Sequence, residues 1–246
     1  MKRGSFYILG LFISLVLSSC DKDSSNGDFT LTINAKAGSA DFVMDQPLAM
    51  SNGHVIKYSL FNLYIDNVSL IGLDSSLTLI SEVELVNFPT GPSYLIDAKD
   101  VPTGIYLGVA FGLGLDSAKN MSDPNTYPID HPLSILQGTY WDWRTMYRFT
   151  MSEGQFDSTG TGTQFDMTFS YHPGLNEQYR QKMIFTPISI DKNGGSASIE
   201  LDILGMLEDA NAPVDMVANR STHCATPAQI ALAADIMDNL VNSISN

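Results

Sequence analysis

The sequence predicts a mainly β protein, an antiparallel β-sandwich with a C-terminal α-helix. Three observations lead there. Apolar and polar residues alternate with period two in several short runs, turn-forming residues separate those runs at short intervals, and a single stretch near the end has helical spacing. Two antiparallel sheets packed face to face are the architecture that buries such strands. No heptad or solenoid period competes with it.

Phe29, Leu31, Ile33 and Ala35 alternate with Thr30, Thr32 and Asn34, the pattern of a half-buried strand. Residues 55–71 and 77–87 are rich in Val, Ile, Leu, Tyr and Phe, and Gly72-Leu73-Asp74-Ser75-Ser76 between them reads as a turn, so they are expected as neighbours in a meander. Residues 104–115 follow, with glycines that let another backbone or a ligand approach closely. Phe165, Met167, Phe169 and Tyr171 alternate with polar residues, as do Ile199, Leu201 and Ile203. Between them, Asp191-Lys192-Asn193-Gly194-Gly195 carries the Asn-Gly pair of a tight hairpin. Thr226, Pro227 and Gln229 form a helix start, and Ile230, Ala233, Ala234, Met237, Leu240, Val241 and Ile244 recur as one apolar stripe.

The N-terminus has the layout of a secretory signal: Lys2 and Arg3, then an apolar run from Phe6 to Leu17 that falls short of the roughly 20 residues needed to span a bilayer. It ends Leu17-Ser18-Ser19-Cys20, which resembles a bacterial lipobox and implies lipidation at Cys20. The expected organisation is therefore a signal peptide over 1–19, an acidic tether over 20–28 and one domain over 29–246. Without Lys2 and Arg3, 11 basic side chains face 27 acidic ones, a balance that makes nucleic acid a poor partner. With Cys20 taken by lipid, Cys224 has no partner for an intramolecular disulfide.

Chemistry concentrates between Gly138 and Gly154. This stretch holds both tryptophans, Trp141 and Trp143, and two residues apart on a strand they would share a face with Thr145. Such a face could serve as an aromatic core or as a site that uses an indole. The four histidines, His54, His131, His172 and His223, lie in or beside turns, and none has the spacing of a zinc motif. Met146, Met167 and Met183 lie in strand-like runs and read as core filling. Asp116 and Glu153 could be an acid and base only if the fold brought them together. No nucleophile elbow, P-loop or dinucleotide fingerprint is present, and no enzymatic activity is expected.

The order of these segments resembles the MbnP-like family, the methanobactin-associated periplasmic copper-binding proteins and their lipoprotein relatives. The resemblance is carried by Phe61 to Leu70, by the Gly-rich Val109 to Ser117, by Pro132-Leu133 and Gly138, by Tyr140-Trp141-Asp142-Trp143 with Tyr147-Arg148-Phe149 and Glu153-Gly154, and by Phe169-Ser170-Tyr171-His172-Pro173-Gly174. It runs from about Phe29 to His172 and more loosely beyond. Thr139 stands where the family commonly has Met, and Met146 where it commonly has Gly. The resemblance implies copper held by two imidazoles and a tryptophan oxidised to kynurenine by a partner dihaem enzyme. His172 is the first residue to carry over, His131 or His223 the second imidazole, and Trp141 or Trp143 the indole.

The expected function is thus a lipid-anchored copper-binding protein of the bacterial cell envelope, on its periplasmic or surface face. The alternative is a cell-surface binding or adhesion module, for glycan or protein, that uses no metal. Replacing Cys20 with Ala should abolish labelling by a lipid precursor and release the protein from the membrane fraction; a Cys20→Ala protein that stays membrane-bound through an uncut N-terminus would refute the anchor.

Overall fold

The structure is a computed structural model that describes residues 25–246; the signal-like segment, Cys20 and the tether up to Ser24 lie outside the described residues. The main strands are β1 (Asn26–Ala37), β2 (Val55–Gly72), β3 (Leu77–Asn87), β4 (Ser93–Pro102), β5 (Gly104–Leu113), β6 (Thr150–Asp157), β7 (Met167–Tyr171), β8 (Arg180–Ile190) and β9 (Gly195–Asp202). In one sheet β1 lies between β4 and β9, with Ile244–Ser245 outside β9 and Ala40–Asp41 paired to the end of β1. The other runs β8, β5, β2, β6, β7 and Ser221–Thr222, and β3 also pairs with β2. The fold is mainly β with a C-terminal helix, as the alternation and the helix signal predict. Among the described residues, no helix is long and apolar enough to cross a membrane.

The long strand β2 organises the second sheet. Its first half pairs with β6, Thr150 opposite Leu63, and its second half with β5, Ile65 opposite Leu113. The expected β2–β3 meander is present, with Ile65 opposite Glu84 and Gly72–Ser76 closing the turn. Phe29, Leu31, Ile33 and Ala35 are buried together with Tyr58, Phe61, Val68, Leu70 and Val109 from the facing sheet. Each Phe, Leu, Ile or Val among them that is removed from water stabilises the fold by roughly 1.5–3 kcal/mol. Phe42, Tyr58 and Phe169 add edge-to-face contacts, with ring centroids 5.5 and 5.2 Å apart.

Three expectations need correction. Asn26 to Asp28, placed in the tether, already belong to β1, where Asn26 lies opposite Pro102 and Asp28 forms an ion pair with Lys99 at 2.6 Å. The lack of large apolar residues there reports on burial, not on backbone pairing. The sheets are also not purely antiparallel: β1 runs parallel to β9, and β7 parallel to Ser221–Thr222. Long connections join both pairs, so no hairpin dictates their direction. Finally, Asp191 and Gly194 do close a tight turn, but β8 and β9 leave it for different sheets, making a corner of the sandwich instead of a hairpin.

Thr226 caps the C-terminal helix, Pro227–Asn242, by accepting from Gln229 N at 3.3 Å, and Ala233, Ile236, Met237 and Leu240 are its buried side. β6 carries a bulge between Glu153 and Gly154 where it pairs with β2, and a bulge re-aims the side chains beside it. A Cβ on Gly154 would stand 2.1 Å from Lys57 O. Gly154→Ala should therefore lower unfolding stability by roughly 1–3 kcal/mol, read as a reduced denaturant midpoint; an unchanged midpoint would show that the bulge tolerates a side chain.

Candidate functional site

On β7, Phe169 and Tyr171 point into the core, so Ser170 and His172 face the other side of the sheet. Ser170 and Tyr171 pair in parallel with Ser221 and Thr222. Parallel strands run in step, so the residues that follow, His172 and His223, arrive side by side, and His172 N donates to Thr222 O at 2.9 Å. Their rings are 5.0 Å apart, and both Nε2 atoms reach Ser170 Oγ, at 3.3 Å from His172 and 3.2 Å from His223. Glu153 Oε1 accepts from His172 Nε2 at 2.8 Å, while His172 Nδ1 is buried without a partner.

A hairpin covers this pair. Tyr140–Trp141 pairs with Met146–Tyr147, and the chain turns between them. The hairpin is tied down at the residues following each histidine: Phe149 N donates to Pro173 O at 2.6 Å, and Arg144 Nε to Cys224 O at 2.6 Å. Gly174 permits the approach, since a Cβ there would meet Tyr147 O at 2.4 Å. Trp141 thereby lies edge-on to both imidazoles, its ring 5.3 Å from each. Trp143 stacks on Trp141 at 5.4 Å, and the Arg148 guanidinium lies over the Trp141 ring at 4.4 Å.

Trp143 is not on a strand with Trp141, as the period-two reading expects. It belongs to the turn, where Arg144 N donates to Trp141 O at 3.3 Å, and it is 67% exposed. The tryptophans are therefore not a sandwich core. Thr145, expected on the same face, is buried.

The site favours neutral imidazoles. Burial, then the positive charge of Arg148 and the neighbouring His223, push the His172 pKa down to about 3. Burial also lowers that of His223, where Glu153 pulls upward and Arg148 downward. A neutral imidazole keeps a nitrogen lone pair available to a metal ion. Burial raises the Cys224 thiol, whose Sγ packs against Gln178, so it stays protonated and inert.

The other candidates fall elsewhere. His131 stacks on Tyr127 at 4.4 Å and accepts from Leu133 N at 3.0 Å through Nδ1, outside the His172–His223 cluster. His54 Nδ1 lies 3.2 Å from Asp157 O. Asp116 and Glu153 are not an acid–base pair: Asp116 caps a one-turn helix, Ser117–Asn120, and binds Lys119 at 3.0 Å. Met206 and Met216 fill the core, whereas Met183 is exposed. Among the described residues, no group of three or more His, Cys, Asp or Glu side chains is preformed to hold a metal ion. Sequence reasoning missed Ser170 and Arg148. Ser170 had a signal, because it lies two residues before His172 on one strand face; Arg148, which reaches back over Trp141 within the hairpin, had none.

The MbnP family model matches residues 26–228, a span that contains the hairpin and both imidazoles. The chain belongs to the MbnP family. A solved structure, MbnP from Methylosinus trichosporium, is similar over 75% of this chain and 78% of its own, with 18% sequence identity and a TM-score of 0.50, a likeness of fold. Comparison with curated proteins gives no match. Met146 adopts a φ of +61°, the left-handed region that glycine enters most easily. Thr139 is buried, with its hydroxyl 2.7 Å from Tyr64 Oη.

The lowered His172 pKa links stability to pH. The unfolded chain takes up this proton near pH 6.5, and the folded protein refuses it until about pH 3. The unfolded state thus binds more protons in that window, so stability is full above pH 6.5 and falls as the pH drops toward 3. Thermal unfolding across this range should show a steeper loss for the natural protein than for His172→Asn; parallel curves would contradict a buried neutral imidazole.

Proposed function

We propose that this MbnP family member is a copper-binding protein of the bacterial cell envelope, lipid-anchored through Cys20, which holds or transfers copper at His172 and His223 beneath Trp141. The observation that carries this reading is the convergence of two neutral imidazoles on Ser170 Oγ under an indole. The donor chemistry fits: imidazole nitrogen suits copper, and a set of two or three nitrogens is compatible with copper(I). The unpartnered Nδ1 of His172 fits as well, because with Nε2 donating to Glu153 the lone pair of the neutral ring is on Nδ1 and is taken by no hydrogen bond.

In this reading Trp141 is the indole that becomes kynurenine when a partner dihaem oxidase acts on it, adding an aromatic amine beside the two rings. Trp143, stacked outside it, lines the approach. The protein itself performs no catalysis. The exposure of Trp143 also favours a second reading, a binding module that presents an aromatic surface to a glycan or protein.

Elemental analysis and intact mass of protein matured in its own host separate the two. Copper binding predicts metal in the purified protein, its strong loss in His172→Ala and His223→Ala with the fold retained, and loss of any kynurenine mass change in Trp141→Phe. Unmodified mass, no copper and no effect of either histidine substitution would leave the binding module.

A further inference from the structure

One end of the sandwich carries large apolar side chains that no other described residue covers. There β8, β5, β2 and β3 lie side by side, and their register sets two rows across the sheet: Phe185, Gly108, Ile71 and Leu77 in one, Met183, Ala110, Ser69 and Leu79 in the next. Residues directly opposite one another point to the same face. This is the outer face, because Leu70 and Val109, which alternate with them, are in the core. Phe185, Met183, Leu77 and Leu79 are each more than half exposed, and they stand as two ridges because Gly108 and Ala110 between them are small. Leu73 in the β2–β3 turn and Ile105 at the start of β5 carry the patch around the tip of the sandwich. Apolar side chains gathered in this way mark an interaction surface. The described chain begins at the same end: Ser25 O accepts from Thr103 N at 2.9 Å, two residues before Ile105, and Ser25 lies five positions after Cys20. Five residues span at most roughly 18 Å, so a lipid on Cys20 keeps this end close to the bilayer. Asp74, Asp100 and Asp191 are exposed around it, so the end offers a partner apolar area and no cationic attraction for anionic headgroups.

We propose that this end is a membrane-docking face, with Leu73, Leu77, Leu79, Ile105, Met183 and Phe185 dipping into the boundary between headgroups and acyl chains of the leaflet that holds the Cys20 lipid. The proposal rests on the reading of Cys20 as lipidated and adds to it a second, apolar contact. A tether alone would leave the domain free to tumble at the surface. Side chains that leave water on reaching the interface favour one orientation over the others. In that orientation β2 runs away from the bilayer. Phe61 lies opposite Ser152, which pairs with Tyr171 next to His172, and it is roughly 35 Å along the strand from Gly72. The tryptophan hairpin and the two imidazoles therefore stand clear of the leaflet, open to molecules that arrive from the aqueous side.

Two methionines of similar exposure allow a test: Met183, 57% exposed, lies in the face, and Met121, 61% exposed, follows the far end of β5. Mature protein whose intact mass shows lipid on Cys20 is placed in vesicles of saturated phosphatidylcholine and footprinted with hydroxyl radicals generated in the aqueous phase. Each oxidation rate is compared with that of the same chain carrying Cys20→Ala, free in solution. On vesicles Met183 should oxidise about fivefold or more slowly, with Met121 unchanged. Leu77→Thr combined with Phe185→Thr, which keeps strand propensity and touches no core residue, should return Met183 toward the free rate while the protein stays anchored. Equal Met183 rates on vesicles and in solution would overturn the docking face. Protection that survives the double substitution would also overturn it, because nearness imposed by the tether would then be the cause. Protection that fades as the protein is diluted within the bilayer would assign the face to a second copy of the chain and overturn it as well. If the natural protein carries no lipid, the anchor reading fails and the proposal with it.

Discussion

The site depends on one stretch of parallel pairing. Tyr171 lies opposite Thr222, and that register alone makes neighbours of His172 and His223, which are far apart in sequence. A shift of one residue would send one ring to the opposite side of the sheet, because side chains alternate along a strand. The pairing is short and at a sheet edge, so it needs support. Thr222 Oγ1 donates to Gln229 O at 2.6 Å, and Tyr171 Oη to Asn219 O at 2.8 Å, tying the edge to the helix start and to the preceding loop. The hairpin completes the arrangement by gripping Pro173 and Cys224, one step beyond each histidine.

The electrostatics of the site follow from the same placement. A histidine on the outer side of a sheet would ordinarily be hydrated and would titrate near neutrality. Here the hairpin covers His172, which is 3% exposed, so charging it would require losing hydration without compensation. Arg148 adds to that resistance and at the same time holds the Trp141 ring in position. The same cation shapes both the indole and the imidazoles.

What could be read from the sequence was local. The alternation of Phe29 to Ala35, the turn at Gly72–Ser76 and the cap at Thr226 announce themselves within a few residues, and each appears in the structure. His172 and Trp141 were marked as candidates through family resemblance. That His172 lies beside His223 and not His131 was not, because a parallel contact between distant strands leaves no mark in spacing. Asn193-Gly194 shows the same limit: the dipeptide specifies a turn, but longer partners elsewhere decide where its flanking strands go. Trp143 was misplaced because a two-residue interval looks identical on a strand and across the start of a tight turn.

The hairpin has an optical consequence. Both indoles of the chain are in it, stacked on each other, and Trp141 also meets a guanidinium and two imidazoles. The whole tryptophan emission of the protein therefore originates within this one cluster, with no background from a distant reporter. Any event that moves the hairpin, fills the space beneath it or alters an indole is written into intrinsic fluorescence, so the protein carries a built-in spectroscopic probe at the place where its chemistry is concentrated.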